Sequence, residues 1–222
     1  MIRRLPTGVE FLFVITWAFG LEIFTAILAL GGAVPEGADA QLTNDLLVSF
    51  LAMKSVQFVV IMWFLRVRGW SLEKFGLRFS WRETLAGVAL FAVAYLMAAG
   101  SEKLVATFLP AQAAALIARA PQVDAGFSMQ LLYVTATAQG IFEELFVVGY
   151  IVTALAPVRG LWTAINVSTV VRLLYHLYEG PLGIAVQVPL GLLFAYVYVR
   201  TRALWPLILA DVLLSAALAF NS

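Results

Sequence analysis

Two adjacent carboxylates, Glu143 and Glu144, lie inside an apolar stretch of the chain, "QGIFEELFVVGY" at residues 139–150. Two acids this close cannot both stay ionised in apolar surroundings without a large cost in free energy, so either one is protonated or a cation lies beside them. A carboxylate held in this way can take a proton from a water molecule, which is general-base chemistry. The pair is therefore the first candidate for a reactive site.

Three more ionisable residues in apolar segments can complete such a site. Arg172 and His176, the only histidine of the chain, are four residues apart and share one face of a helix, and Asp211 lies in the last apolar segment. We expect Arg172 to contact Glu144 or Glu143 at salt-bridge distance, because an unpaired arginine inside a membrane is costly. The other glutamate and His176 can then hold and deprotonate a water, which predicts hydrolysis.

The same cluster has other interpretations. Buried polar side chains can join membrane helices without any reaction, and acids with a histidine can relay protons in a small transporter. Many transporters are built from paired half-repeats, and the sequence contains no such repeat. Glu, His and Asp also suit zinc as a ligand set, so a zinc ion held by Glu143, His176 and Asp211 stays open, although their spacing is not diagnostic.

The composition places these residues in a membrane. Of the 222 residues, 63% are hydrophobic and 12% are charged, and the mean hydropathy is +0.95; soluble domains have about 45–50% apolar and about 25% charged residues. A net charge of +1 gives no reason to expect nucleic-acid binding. The chain has no cysteine, which excludes disulfides, thiolate catalysis and zinc–thiolate sites.

The apolar segments predict an all-α, polytopic transmembrane bundle of about seven spanning helices, within a range of six to eight, in a single domain over residues 1–222. A spanning helix needs about 20 mostly apolar residues. Residues 111–120 predict a short surface helix, and the polar segment after the second span predicts an interfacial stretch. The predicted spans are 10–31, 46–67, 84–108, 129–156, 161–178, 181–200 and 203–219.

Basic residues predict the orientation, because cytoplasmic loops carry an excess of Lys and Arg. With seven spans and a cytoplasmic N-terminus, the outer side holds Lys103 and Arg119 alone. The cytoplasmic side then holds Arg3, Arg4, Arg66, Arg68, Lys74, Arg78, Arg82, Arg159, Arg200 and Arg202.

Glu22 and Lys54 form a second group of buried charges in the first two spans. Glu22 lies about eight residues before the outer end of the first span, and Lys54 lies about nine residues after the outer start of the second. At about 1.5 Å per residue their depths match. We therefore expect a structural ion pair between the two helices, away from the His176 cluster.

Around the reactive residues the sequence resembles the CPBP intramembrane proteases, which include type II CAAX prenyl endopeptidases and bacteriocin-processing or immunity proteins. That family carries Glu-Glu-x-x-x-Arg on one helix, Phe-x-x-x-His on the next and His-x-x-x-Asn/Asp on a later one. Here "EELFVVGY" matches the first motif, "RLLYHLYEGP" matches the second around His176, and "ALWPLILADVLLS" matches the surroundings of the third. The resemblance covers about residues 130–219.

The sequence departs from all three motifs. The arginine position of the first motif is Val148 and the phenylalanine position of the second is Arg172, as if the guanidinium had moved to the next helix. In the third motif the histidine position is Asp211 and the Asn/Asp position is Ser215. The resemblance implies that this histidine polarises the scissile carbonyl or binds a metal. Asp211 can ligate a metal, or donate a hydrogen bond if burial keeps it protonated.

The resemblance implies an intramembrane endopeptidase that cuts a peptide or protein substrate at the lipid bilayer of a bacterial inner (plasma) membrane. In this scheme Glu143 is the general base, His176 helps position the water, and Arg172 fixes Glu144. Asp211 is the site residue on the helix that carries the third motif. We expect Asp211 to face the same cavity as Glu143 and His176. The changed third motif keeps open an inactive family member that acts as a membrane binding or immunity protein, and a proton-coupled transporter is a further alternative.

Overall fold

The predicted apolar segments all form helices. The computed structural model describes residues 8–31, 42–118 and 126–221, and over these residues it contains no β-strand. The all-α membrane bundle is therefore confirmed. In chain order the elements are α1 (Gly8–Leu30), α2 (Asn44–Val67), a 3-10 turn (Leu72–Phe75), α3 (Trp81–Phe108), α4 (Pro110–Ala118), α5 (Met129–Glu143), a π-helix (Glu144–Tyr150), α6 (Ile151–Arg159), α7 (Leu161–Tyr175), a second 3-10 turn (Leu177–Glu179), α8 (Gly180–Thr201) and α9 (Trp205–Asn221).

Within the described ranges, five helices are long and apolar enough to cross a membrane, against about seven predicted spans. The two shorter ones are α7, with 15 residues, and α9, whose apolar part is Trp205–Ala217. A helix of 15 residues rises about 22 Å, less than the roughly 30 Å of a bilayer core. α7 ends at His176, where the chain enters a 3-10 turn before α8 begins.

Hydroxyl side chains begin three of the long helices. Thr43 accepts a hydrogen bond from the amide of Leu46 at the start of α2, and Ser128 accepts one from Leu131 at the start of α5. Ser80 accepts from the amide of Glu83, the third residue of α3. These N-caps satisfy amides that have no partner inside the helix.

The span at the centre of the bundle is Met129–Arg159, in which α5, the π-helix and α6 follow without a break. In its apolar window 72% of the residues are buried, against 22% in α1 and in α2. All seven residues of the π-helix are buried. Short π-helical segments inside α-helices are rare and occur often at functional sites.

Contacts define two ends of the bundle. At the N-terminal end, Glu10 near the start of α1 accepts hydrogen bonds from Arg68 at 2.8 Å and from Trp70 at 3.0 Å. The Tyr198 hydroxyl near the end of α8 donates to the Phe75 carbonyl at that same end. At the opposite end, Asn44 at the start of α2 bonds to the backbone just before α5.

A glycine allows the interfacial segment to dock at the N-terminal end. Gly76 follows the first 3-10 turn with φ +68°, and its carbonyl accepts a hydrogen bond from the amide of Leu204. A Cβ at Gly76 would lie 1.9 Å from the carbonyl oxygen of Arg202. The segment therefore rests on the turn between α8 and α9.

The N-terminal end also carries the basic residues that the sequence placed on the cytoplasmic side, as far as they are described. Lys103 lies near the opposite end, in the last turns of α3. Arg3, Arg4 and Arg119 lie outside the described residues, as do residues 119 and 120 of the predicted surface helix. The side of the membrane on which this end lies stays a prediction.

Candidate active site

The two adjacent glutamates have different environments. Successive residues of a helix point about 100° apart, and the change from α5 to the π-helix falls between Glu143 and Glu144. Glu143 is 6% exposed and lines a cavity, whereas Glu144 is 0% exposed and does not line it. Only Glu143 is therefore placed to meet a water molecule or a ligand.

The cavity has a volume of about 480 Å³, within the roughly 300–1,000 Å³ of ligand sites. Four of the five candidate residues line it: Glu143, Arg172, His176 and Asp211. It lies in the half of the bundle toward the opposite end, because residues at the end of α7 and in the first half of α8 form part of its wall. The expectation that Asp211 shares a cavity with Glu143 and His176 is confirmed.

Arg172 on α7 reaches three acids. Its Nη2 is paired with Oε1 of Glu144. Its Nη1 lies 3.9 Å from Oε2 of Glu143 and 3.5 Å from Oδ1 of Asp211. The predicted contact between Arg172 and the glutamates is confirmed, so a guanidinium on the neighbouring helix reaches the pair.

Two neutral side chains hold Glu143. The Tyr175 hydroxyl donates to Oε2 at 2.8 Å, and the side-chain amide of Gln139 donates to Oε1. Each carboxylate oxygen therefore accepts one hydrogen bond, which fixes the plane of the carboxylate. From the sequence, Tyr175 is a candidate for lining a cavity or for anchoring at the interface, and Gln139 has no predicted role; the available signal is that Gln139 precedes Glu143 by one helical turn.

His176 lies at the C-terminal end of α7, outside the helix proper. Its Nδ1 is 2.7 Å from Oε1 of Glu179 and 3.4 Å from the side-chain amide nitrogen of Gln187. When Nδ1 carries the proton and donates to Glu179, Nε2 is left to accept a proton or a hydrogen bond. A Cβ at Gly183 would lie 2.7 Å from the Glu179 Cβ, so a glycine is needed to pack α8 against this turn.

Asp211 approaches the site across a close contact of α5 and α9. A Cβ at Gly140 would lie 2.9 Å from Oδ2 of Asp211 and 3.1 Å from a methyl group of Val212. Asp211 is 9% exposed. The missing side chain of Gly140 thus makes room for the carboxyl group one turn away from Glu143.

The ion pair between Lys54 and Glu22 is confirmed, but the prediction that it lies away from the His176 cluster is wrong. Glu22 lines the same cavity as Glu143 and His176. The reason is that α1 packs on α7 and the following turn as well as on α2. The Phe19 ring stacks on Tyr175 with centroids 4.9 Å apart, and Glu22 lies one turn further along the same face.

The sequence leaves open a zinc ion held by Glu143, His176 and Asp211. In the part of the chain that the structure describes, no three His, Asp or Glu side chains are grouped so that they could hold one metal ion. Glu143 and Asp211 instead face the Arg172 guanidinium, and Nδ1 of His176 faces Glu179. The side chains present do not fit a shared metal ion, so no step below passes through one, and zinc stays an untested prediction.

Comparison with known proteins gives a family-model match over the stretch that contains the site. The family model described as "Rce1-like: Type II CAAX prenyl endopeptidase Rce1-like" matches residues 125–217. The match supports membership of the CPBP family, so the resemblance drawn from the motifs is confirmed over this stretch. At the level of the family, the match supports an intramembrane CAAX-type protease. Comparison with curated proteins and with solved structures gave no match.

Proposed function

We propose that the protein is an intramembrane endopeptidase that hydrolyses a peptide bond of a membrane-associated peptide or protein. The observation that carries the proposal is the position of Glu143. Of the glutamate pair it alone lines the cavity, its two oxygens are held by Tyr175 and Gln139, and His176 lines the same cavity. A fixed carboxylate beside an imidazole suits general-base activation of water.

The reaction needs only water and the peptide. Glu143 takes a proton from the water while the water oxygen attacks the scissile carbonyl carbon, and the electron pair of the C=O bond moves to the oxygen. When the carbonyl forms again the C–N bond breaks, and the proton held by Glu143 goes to the leaving nitrogen. His176 positions the water through Nε2, with Glu179 fixing the ring.

A cleavage assay with purified protein in lipid nanodiscs tests the proposal. A library of membrane-anchored peptides is incubated with the protein, and new termini are identified by mass spectrometry. Glu143→Gln keeps the size of the side chain and one accepting oxygen but removes the base, so we expect a loss of about 10²–10⁴-fold in kcat. The matched control is Glu102→Gln, at an exposed position of α3 outside the cavity. A library left uncut by the wild-type protein, or cut equally well by Glu143→Gln, contradicts the proposal.

Asp211 favours a second candidate, an inactive member of the family that binds a membrane peptide. It stands at the histidine position of the third motif, and an ionised carboxylate cannot donate a hydrogen bond to an oxyanion. The substitution Asp211→His separates the candidates. If it creates cleavage where the wild-type protein has none, the inactive reading is right.

We propose that the protein resides in a bacterial inner membrane with its N-terminus in the cytoplasm, because the basic residues gather at that end. The chain has no cysteine, so single cysteines report their side of the membrane without background. Ser71→Cys is expected to resist an impermeant thiol reagent in intact cells, and Gln112→Cys is expected to react. The reverse pattern would mean the opposite orientation.

A further inference from the structure

The guanidinium of Arg172 has two arms with different surroundings. Nη2 is paired with Glu144, which does not line the cavity. Nη1 lies between Glu143 and Asp211, at 3.9 Å and 3.5 Å from their nearest oxygens, and Arg172 itself lines the cavity. Nη2 therefore fixes the guanidinium to Glu144. Nη1 lies beside the general base and makes no short hydrogen bond to Glu143 or Asp211.

We infer that Nη1 of Arg172 is the electrophile of the site: it donates hydrogen bonds to the scissile carbonyl oxygen and stabilises the oxyanion. The inference rests on the proposed function and adds a catalytic role to a residue otherwise needed to fix Glu144. When water attacks, the electron pair of the C=O bond moves to oxygen, and Nη1 holds that oxygen without giving up a proton. When the C–N bond breaks, the pair returns and the hydrogen bonds weaken.

The geometry suits this role. An oxyanion donor acts from about 2.7–3.1 Å, and the reacting carbon must lie about 3 Å from the attacking oxygen. A donor 3.9 Å from the base oxygen leaves room for a water on Glu143 and the carbonyl oxygen on Nη1. The guanidinium is also held in place, because its central carbon lies 5.5 Å from the centre of the Phe194 ring. A charged donor held in this way stabilises an oxyanion more than a neutral one.

Tyr175 and Gln139, the two donors bound to Glu143, already direct a proton to that carboxylate. The single hydroxyl proton of Tyr175 goes to Oε2 of Glu143, and the amide of Gln139 binds Oε1. Asp211, as a carboxylate, can only accept. Its Oδ1 lies 3.5 Å from Nη1, which suits a counterion that keeps Nη1 directed toward the cavity. Asp211 is then a positioning residue and needs no proton of its own.

The two departures from the family motifs become one change in this account. Val148, at the family's arginine position, is fully buried and does not line the cavity. Arg172, on the next helix, does. The chain therefore lacks the third-motif histidine but has a cation inside the cavity, where that histidine would otherwise be needed to polarise the carbonyl.

The test separates anchoring from electrophilic assistance. Arg172→Lys keeps a cation for Glu144, but a single ammonium cannot also reach the cavity. We expect a folded protein, a kcat lower by about 10²–10³-fold and little change in KM. A phosphinic peptide that mimics the tetrahedral intermediate should lose affinity by a similar factor, while an uncut amide analogue should not. Adding Asp211→His to Arg172→Lys should recover at least about tenfold of the rate, because it restores a donor.

If Arg172→Lys does not fold, the variant Glu144→Gln with Arg172→Gln removes both charges of the anchor pair, and the same measurements apply to it. A folded variant with kcat within about threefold of wild type overturns the inference, and so does an equal loss of affinity for the amide analogue. A wild-type protein that cuts no peptide overturns the proposed function together with this inference. Cleavage by the wild type that the Arg172 variants retain overturns this inference alone.

Discussion

Two buried ion pairs join helices of the bundle, and they differ in how many acids share the cation. Lys54 on α2 pairs with Glu22 on α1, and its ammonium lies 4.2 Å from the centre of the Phe142 ring. Arg172 on α7 faces the carboxylates of Glu143, Glu144 and Asp211 at once. The first pair is balanced, whereas the second is a cation placed among an excess of acids.

The number of acids around each cation indicates whether that cation can be removed together with its partner. A balanced pair in apolar surroundings can often be replaced by uncharged side chains with little loss of stability. A cation shared by several acids cannot be removed in this way, because the acids remain. The family match over residues 125–217 contains the shared cation and excludes the balanced pair.

Removal of the shared cation should produce the larger effect on stability. Arg172→Phe leaves three buried acids without their common partner, so we expect the free energy of unfolding to fall by about 3–5 kcal/mol. Unfolding in mixed micelles with increasing denaturing detergent measures it. Arg82→Phe, at an exposed position of α3, is the matched control and should change stability by no more than about 0.5 kcal/mol. An equally small change for Arg172→Phe would show that the acids do not depend on the arginine.

A second substitution sharpens this result. Val148→Arg restores the family's arginine position, so Val148→Arg with Arg172→Phe should retain more fold and activity than Arg172→Phe alone. Val148 is fully buried, so the larger side chain must displace neighbours and the recovery will be partial. If the double variant is less stable than Arg172→Phe, the two positions are not equivalent supports for Glu144.

Removal of the balanced pair's cation should cost less. Lys54→Met leaves one acid, Glu22, without its partner, whereas Arg172→Phe leaves three. The methionine also suits the surrounding aromatic rings. We expect the free energy of unfolding to fall by about 1–3 kcal/mol, measured in the same detergent titration. A loss as large as that of Arg172→Phe would erase the distinction between the two pairs.

The candidate residues could be found from the sequence because charges in apolar segments are exceptions. Glu143, Arg172, His176 and Asp211 stand out against hydrocarbon, and all four line one cavity. Helix positions followed from the apolar lengths: the predicted span 129–156 is Met129–Arg159 in the structure. These features depend on the cost of burying charge, which the sequence displays directly.

Other features have no comparable signal. After Glu144, the π-helix at Glu144–Tyr150 contains no polar side chain except that of Tyr150, and its residues equally suit an α-helix. Gln139 is an uncharged polar residue and stands out less in an apolar segment than a charge does, and its bond to Glu143 depends on the helix geometry. Glu22 was placed outside the site because matched depth along two helices does not tell which third helix packs against them. Hydropathy gives the helices and their order, but not their neighbours.

The smallest expected effect belongs to the double variant Glu22→Gln with Lys54→Met, which removes the balanced pair whole. No uncompensated charge remains, so the free energy of unfolding should stay within about 1 kcal/mol of wild type. The kcat of this variant tells whether Glu22, which lines the cavity, takes part in the reaction. If Glu22 serves only the pair, kcat for a cleaved peptide should stay within about threefold of wild type, because Tyr175 and Gln139 still hold Glu143. A loss of more than about tenfold in a variant of normal stability would place Glu22 in the reaction and extend the active site to α1, beyond the residues that the family model matches.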